Sequence, residues 1–149
     1  MSKRLSKAEL RRLVFARARG CCEYCGSPAR YTTHSFALEH IIPKHRGGKT
    51  VPENLALSCQ GCNNHKHIKV KARDPVTRQL VALFHPRQHR WAEHLAWSDD
   101  YLEILGLTPT GRATIEALQL NREEVANLRR ILITVGEHPP KTTAEDNTL

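Results

Sequence analysis

No apolar run in this 149-residue sequence approaches the length that spans a bilayer, which excludes a chain built around a membrane helix. The first residues, MSKRLSKAELRRL, alternate charge with leucine and have no continuous apolar stretch, so they do not read as a secretory leader and a cytoplasmic setting is expected. Aromatic residues are scarce, with three Phe, two Trp and three Tyr, so Trp91 and Trp97 are more valuable as core anchors than as platforms for stacking on bases. Acidic residues are scarce in one part only. Residues 1–80 hold 16 Lys+Arg against 5 Asp+Glu, a net of +11, whereas residues 81–149 hold 7 against 10, a net of −3, which together make the +8 of the chain. A basic segment joined to a mildly acidic one points the first part at a polyanion, although a solvated basic surface would account for the charge by itself. The length suits one ordinary domain, or a small metal-stapled module with an appendage.

Cysteine is present in a pattern. Cys22 and Cys25 form one Cys-x-x-Cys pair, Cys59 and Cys62 a second, and Cys21 stands beside the first. In a reducing compartment paired knuckles argue for metal rather than disulfides. Tetrahedral zinc takes four sulfur ligands at about 2.3 Å, and each knuckle supplies two from one turn. A structural Zn²⁺ on Cys22, Cys25, Cys59 and Cys62 is therefore expected, with Cys21 a neighbour or a swap for one of them. Such a site typically contributes on the order of 10 kcal/mol to the folding of a small domain.

Local signals divide the chain into elements. Ser6 and Glu9 make a capping box ahead of Leu10, Leu13 and Val14, predicting an amphipathic helix closed by Gly20; its other face carries Arg11, Arg12, Arg17 and Arg19. Phe36 to Ile42 reads as extended until Pro43, 44–52 as a polar loop around Gly47-Gly48, and Leu55 to Leu57 as a second strand. Helical spacing runs from Asn63 to Val70. The predicted order is strand, long loop, strand, helix.

The segment from Leu38 to Lys66 concentrates side chains able to bind metal or move protons. His40 is a candidate general base, because imidazole titrates near neutral pH. Glu39 offers a hard carboxylate oxygen to Mg²⁺ or Mn²⁺, and alternation along a strand sends the two side chains to opposite faces. Lys44, Arg46 and Lys49 on the loop, with Lys66, Lys69 and Lys71 on or near the helix, would line a phosphate track that gives affinity without sequence choice.

These elements resemble the HNH endonuclease family. The likeness lies in Cys22-x-x-Cys25, Glu39-His40-Ile41-Ile42-Pro43, Gly47-Gly48, Glu53-Asn54-Leu55 and Cys59-x-x-Cys62-Asn63-x-x-Lys66, over roughly the first half of the chain. The resemblance implies an α+β fold: a zinc-stapled ββα-metal module with an N-terminal helix and a C-terminal extension of strands and helices. It implies that Asn63 joins Glu39 as a ligand of a catalytic divalent ion, and that Asn54 holds the loop and so orients His40; read alone, Asn54 is an Asx turn before a strand. Asn63 stands where many members have histidine, which leaves His65 and His67 as substitutes, and Glu39 where aspartate is commoner. The implied activity is metal-dependent hydrolysis of phosphodiester bonds in double-stranded DNA. The alternative is a non-catalytic zinc-ribbon-like module that binds nucleic acid, and a toxin or defence component needing a protein partner would keep the chemistry in another setting.

Beyond residue 75 no catalytic constellation is apparent. Strands are expected at Leu80 to Phe84 and Tyr101 to Leu107, and a helix from Thr110 to about Leu120. A second capping box at Asn121 and Glu124 would open a last helix with an apolar face of Val125, Leu128, Ile131, Leu132 and Val135. The expected division is 1–75 for the module, 76–137 for an extension packed on it, and 138–149 for a disordered tail.

Overall fold

The computed structural model describes residues 4–141. The chain is α+β, with small antiparallel strand pairs between helices. Helix α1, Lys7–Arg17, begins as its sequence dictates: Ser6 Oγ accepts from Glu9 N at 3.1 Å while Glu9 Oε2 accepts from Ser6 N at 2.7 Å. Both bonds satisfy donors that a helix start leaves open. The helix stops before Arg19 and Gly20, both at positive φ. Leu10 and Val14 are buried, against the strand that follows the long loop. Two of the helix's arginines are ties to that module rather than free surface: Arg11 donates to Phe36 O at 2.9 Å, and Arg17 to Pro52 O and Leu55 O at 3.0 and 2.7 Å.

Strand β1, Ala37–His40, pairs antiparallel with β2, Leu55–Ser58, in a register that sets Glu39 opposite Ala56 and His40 opposite Leu55. All four β2 residues are buried, so this strand is the floor of the module. Helix α2, Gln60–Lys66, follows at once and packs on β1. The strand, loop, strand, helix order is the expected one. The helix itself lies earlier than the spacing from Asn63 to Val70 predicts: Cys59 caps it, its Sγ accepting from Cys62 N at 3.4 Å, and it ends where His67 turns to φ 52.

After α2, β3 (Lys71–Arg73) pairs with β4 (Leu80–Ala82), so this hairpin straddles the boundary expected at residue 75; helix α3 is Trp91–His94, and β5 (Leu95–Trp97) pairs with β6 (Ile104–Gly106). Helix α4, Pro109–Leu118, packs on α2, α3, β3, β4 and β6 and so ties the later elements to α2. Thr108 and Pro109 open this helix, Thr108 Oγ1 accepting from Gly111 N at 3.0 Å. Helix α5, Glu123–Thr134, departs from two expectations. Asn121 does not cap it; Arg122 is the N-cap, and Asn121 grips β6 instead, its Oδ1 accepting from Ile104 N at 2.7 Å and its Nδ2 donating to Ile104 O at 2.9 Å. The inward stripe is Val125, Arg129 and Leu132, leaving Ile131 and Val135 over 60 % exposed (63 % and 61 %). An arginine in the seam rotates the apolar face away from the one the hydrophobic pattern suggests.

Trp91 and Trp97 are partly buried against the core with ring centroids 5.3 Å apart, and Trp91 Nε1 donates to Tyr24 O at 3.2 Å, in keeping with an anchoring role. The start of the expected disordered tail is corrected: His138 is buried, its Nε2 lies 2.8 Å from Tyr101 O and its ring meets Trp97 edge-on at 4.5 Å. Residues 142–149 of that expectation lie outside the described residues.

Candidate functional site

Each Cys-x-x-Cys forms a turn that directs two sulfurs to one point. The first knuckle follows α1, with Cys25 N donating to Cys22 Sγ at 3.5 Å and Gly26 at φ 80; the second is the β2–α2 junction. The four Sγ atoms all lie within 4.8 Å of one another, and Cys25 and Cys59 sulfurs are 3.7 Å apart. Ligands at about 2.3 Å from a tetrahedral ion are separated by about 3.8 Å. The four cysteines are thus positioned to bind a metal, and an all-sulfur tetrahedron is a donor set suited to zinc. Cys21 is apart from this group, half-buried in an isolated bridge to Pro28, which leaves Cys22 as the first-knuckle donor.

The loop after β1 is built around Asn54. Its Oδ1 accepts from Ile42 N at 2.8 Å, and its Nδ2 donates to Ile42 O and Lys49 O, each at 3.0 Å. One buried side chain therefore stitches both ends of the loop, satisfying backbone groups that no strand partner reaches. Gly48 makes the stitch possible, since a Cβ there would sit 1.7 Å from Ile42 O. Gly47, at φ 88, closes the short 3₁₀ turn Lys44–Arg46. This places Thr50 against the end of β1, where its Oγ1 is 2.8 Å from His40 Nε2. His40 is half-buried; burial, and secondarily the positive charge of Lys44, hold its pKa below the ordinary 6.5, so the neutral ring is favoured at physiological pH.

Glu39 faces the other way, as strand alternation requires. It is 4 % exposed, accepts from the Tyr24 hydroxyl at 3.0 and 3.2 Å, and has Lys66 Nζ 2.8 Å from Oε1. Burial raises its pKa, and Lys66 opposes that rise. Lys66 is the clear departure from the expected phosphate track. It is 1 % exposed, and its ammonium also donates to Ile41 O at 2.9 Å, so it belongs to the interior. Lys44, Arg46, Lys49, Lys69 and Lys71 are all exposed. Asn63 is half-buried on α2, one turn before Lys66 on the same stripe, with its backbone N–H bonded to Cys59 O at 3.0 Å. His65 and His67 are exposed.

Tyr24 and Thr50 touch the candidate residues Glu39 and His40 but were not singled out by residue patterns alone. Tyr24 lies between the cysteines of the first knuckle, so the turn that builds the sulfur site also presents a hydroxyl to Glu39. Glu23, beside it, accepts from Leu57 N at 2.8 Å and pairs with Arg87, which secures the knuckle to β2 and to the extension.

Residues 22–69, about a third of the chain, match the family model described as HNH endonuclease. The match begins at the first knuckle cysteine and takes in β1, β2 and α2, and the converging sulfurs fit its two Cys-x-x-Cys knuckles. No curated protein and no solved structure matches the chain. Among the described residues no helix is long and apolar enough to cross a membrane.

Proposed function

We propose that the chain is a metal-dependent endonuclease that hydrolyses phosphodiester bonds of double-stranded DNA with little sequence preference, and that it acts in the cytoplasm. Residues 1–75 are the nuclease module on this reading, and 76–137 the extension packed on it. The observation that carries the reading is the seating of His40, a half-buried imidazole fixed by Thr50 at the end of a strand whose following loop is stitched by Asn54.

In the tautomer that donates from Nε2 to Thr50, Nδ1 of His40 keeps its lone pair and accepts the proton of an attacking water, an effect typically worth about 10²–10⁴-fold. The water oxygen then bonds to phosphorus as the ester P–O bond on the far side breaks. Glu39 and Asn63 offer a carboxylate and an amide oxygen, donors that suit Mg²⁺ or Mn²⁺. Glu39 is already charge-compensated by Lys66, so a divalent ion held by Glu39 and Asn63 would share that carboxylate with the ammonium. When bound, such an ion supplies neutralisation of the phosphoryl oxygens and of the leaving oxyanion. Lys44, Arg46 and Lys49 beside His40, with Lys69 and Lys71, hold the phosphate backbone, and Zn²⁺ on the four cysteines maintains the scaffold.

The test is incubation of zinc-loaded protein with supercoiled plasmid and Mg²⁺ or Mn²⁺, beside a chelator control and His40→Ala. Nicked or linear product from wild type, abolished by the chelator and reduced at least about 10²-fold by the substitution, is expected. The buried Glu39–Lys66 pair favours a second reading, the non-catalytic zinc-ribbon-like module that binds nucleic acid. Retarded plasmid that is never nicked is its outcome.

A further inference from the structure

Helix α5 begins at Arg122, and this arginine reaches out of the extension to the second knuckle. Its Nη1 lies 3.5 Å from Cys62 Sγ and its Nη2 3.4 Å from Cys59 Sγ, while Nη1 also donates to Leu118 O and Gln119 O at 3.3 and 3.1 Å. The fork is therefore held by the end of α4 and laid across two sulfurs. Gly61, between those cysteines, is the floor beneath it. A Cβ at that position would stand 2.5 Å from Arg122 Nη2, 2.9 Å from Cζ and 3.0 Å from Nε. Glycine inside a helix costs about 1 kcal/mol relative to alanine, so α2 gains nothing from it; the seat of the guanidinium accounts for it.

A second arginine approaches the first knuckle independently. Arg129 is 2 % exposed and donates to Leu102 O, Leu120 O, Asn121 Oδ1 and Cys25 O, with its guanidinium 5.0 Å from the Trp97 ring centroid. All of these acceptors are neutral, and among the described residues neither Arg122 nor Arg129 forms an ion pair with a carboxylate. A buried guanidinium without a counter-charge is costly. Four thiolates around a divalent ion carry a net charge of about −2; Arg122 lies across two of the sulfurs, and Arg129 reaches the backbone of a third ligand candidate at Cys25 O.

We propose that Arg122 and Arg129 cap the sulfur cluster, so that the C-terminal extension neutralises and shields a zinc tetrathiolate and sets how firmly the ion is retained. Arg122 blocks the sulfurs of the second knuckle from solvent-borne chelators and electrophiles, and Arg129 supplies charge from beneath the first. The role is independent of whether the module cuts DNA, because its readout is zinc retention.

The experiment follows zinc transfer from the full-length, zinc-loaded chain to a chromogenic chelator, with alkylation of the cysteines measured in parallel and far-UV circular dichroism to verify folding. Removing an outer-sphere partner typically costs about 10–100-fold in metal affinity, so Arg122→Ala is expected to speed transfer and alkylation about tenfold or more. Arg122→Lys, which keeps the charge but loses the fork, should fall between. Gly61→Ala leaves every charge in place and favours the helix, yet displaces the guanidinium, and is expected to speed transfer in the same direction. If Arg122→Ala fails to fold, Gly61→Ala decides. Transfer at the wild-type rate from folded Arg122→Ala, or from Gly61→Ala, overturns the proposal, as does a wild-type chain that holds no zinc.

Discussion

Glu39 and Lys66 lie at the centre of the site, each almost without solvent contact and each the other's counter-charge. Breaking a buried pair from one side typically costs about 3–5 kcal/mol, because the remaining charge is stranded. Lys66→Met is therefore expected to destabilise by about that amount, whereas adding Glu39→Gln should recover part of it. Denaturant unfolding of the two single variants and the double variant measures the coupling; additive losses would mean that the pair is not formed. Asn54 acts through geometry in the same neighbourhood. Asn54→Ala strands Ile42 N, Ile42 O and Lys49 O, each left unmade bond being worth about 1–3 kcal/mol when buried. Loss of stability together with any nuclease activity is the expected result, and a stable Asn54→Ala protein with an unaltered His40 resonance in NMR would contradict the role given to the loop.

At the level of elements, the β3–β4 hairpin is locked to α4 by one side chain. Asp74, fully buried, takes two bonds from Arg112 at 2.8 and 2.7 Å and others from Val76, Thr77 and the Thr77 hydroxyl. The Arg112 fork holds its carboxyl far below the usual range. A depressed pKa contributes stability that is fully present above the unfolded value of about 3.9 and is lost as pH falls through the folded one. Asp74→Asn is thus expected to lower Tm at pH 7 and to flatten the fall in Tm below pH 4, measured by thermal scans from pH 7 to pH 2. Parallel curves for the two proteins would contradict it.

Elements written in local chemistry were legible from sequence: the Ser6–Glu9 box, the two knuckles and the strand, loop, strand, helix order; for Asn54 the residues alone gave an Asx turn, and the loop-holding part came from the family resemblance. What was not legible depends on partners far along the chain. Asn121 and Glu124 satisfy the spacing of a capping box, but Asn121 makes two bonds to Ile104 that compete with capping and win. The hydrophobic pattern of α5 cannot reveal that Arg129 belongs inward, because its acceptors lie on β6's approach, at the end of α4 and in the first knuckle. Lys66 reads as a surface lysine until β1 brings Glu39 beneath it, and Tyr24 reads as filler between two cysteines until its hydroxyl meets that same carboxylate.

Across the whole molecule, the sulfur cluster is the point on which both parts depend. The first knuckle joins α1 to β1, the second joins β2 to α2, and Arg122, Arg129 and Trp91 bring the extension onto them. A structural zinc in a small domain is worth on the order of 10 kcal/mol of folding free energy, comparable to the whole stability of a typical domain. Stripping zinc with a strong chelator, or Cys59→Ser, is accordingly expected to remove the cooperative unfolding transition from circular dichroism, and a folded zinc-free protein would contradict the scaffold role. The central claim, that this scaffold presents His40 as the base of a nuclease, is tested most directly by single-turnover cleavage of plasmid DNA. Wild type and His40→Ala are compared at equal zinc content and saturating protein. The account predicts equal DNA binding and a cleavage rate at least about 10²-fold lower for the variant; equal cleavage by both would contradict it.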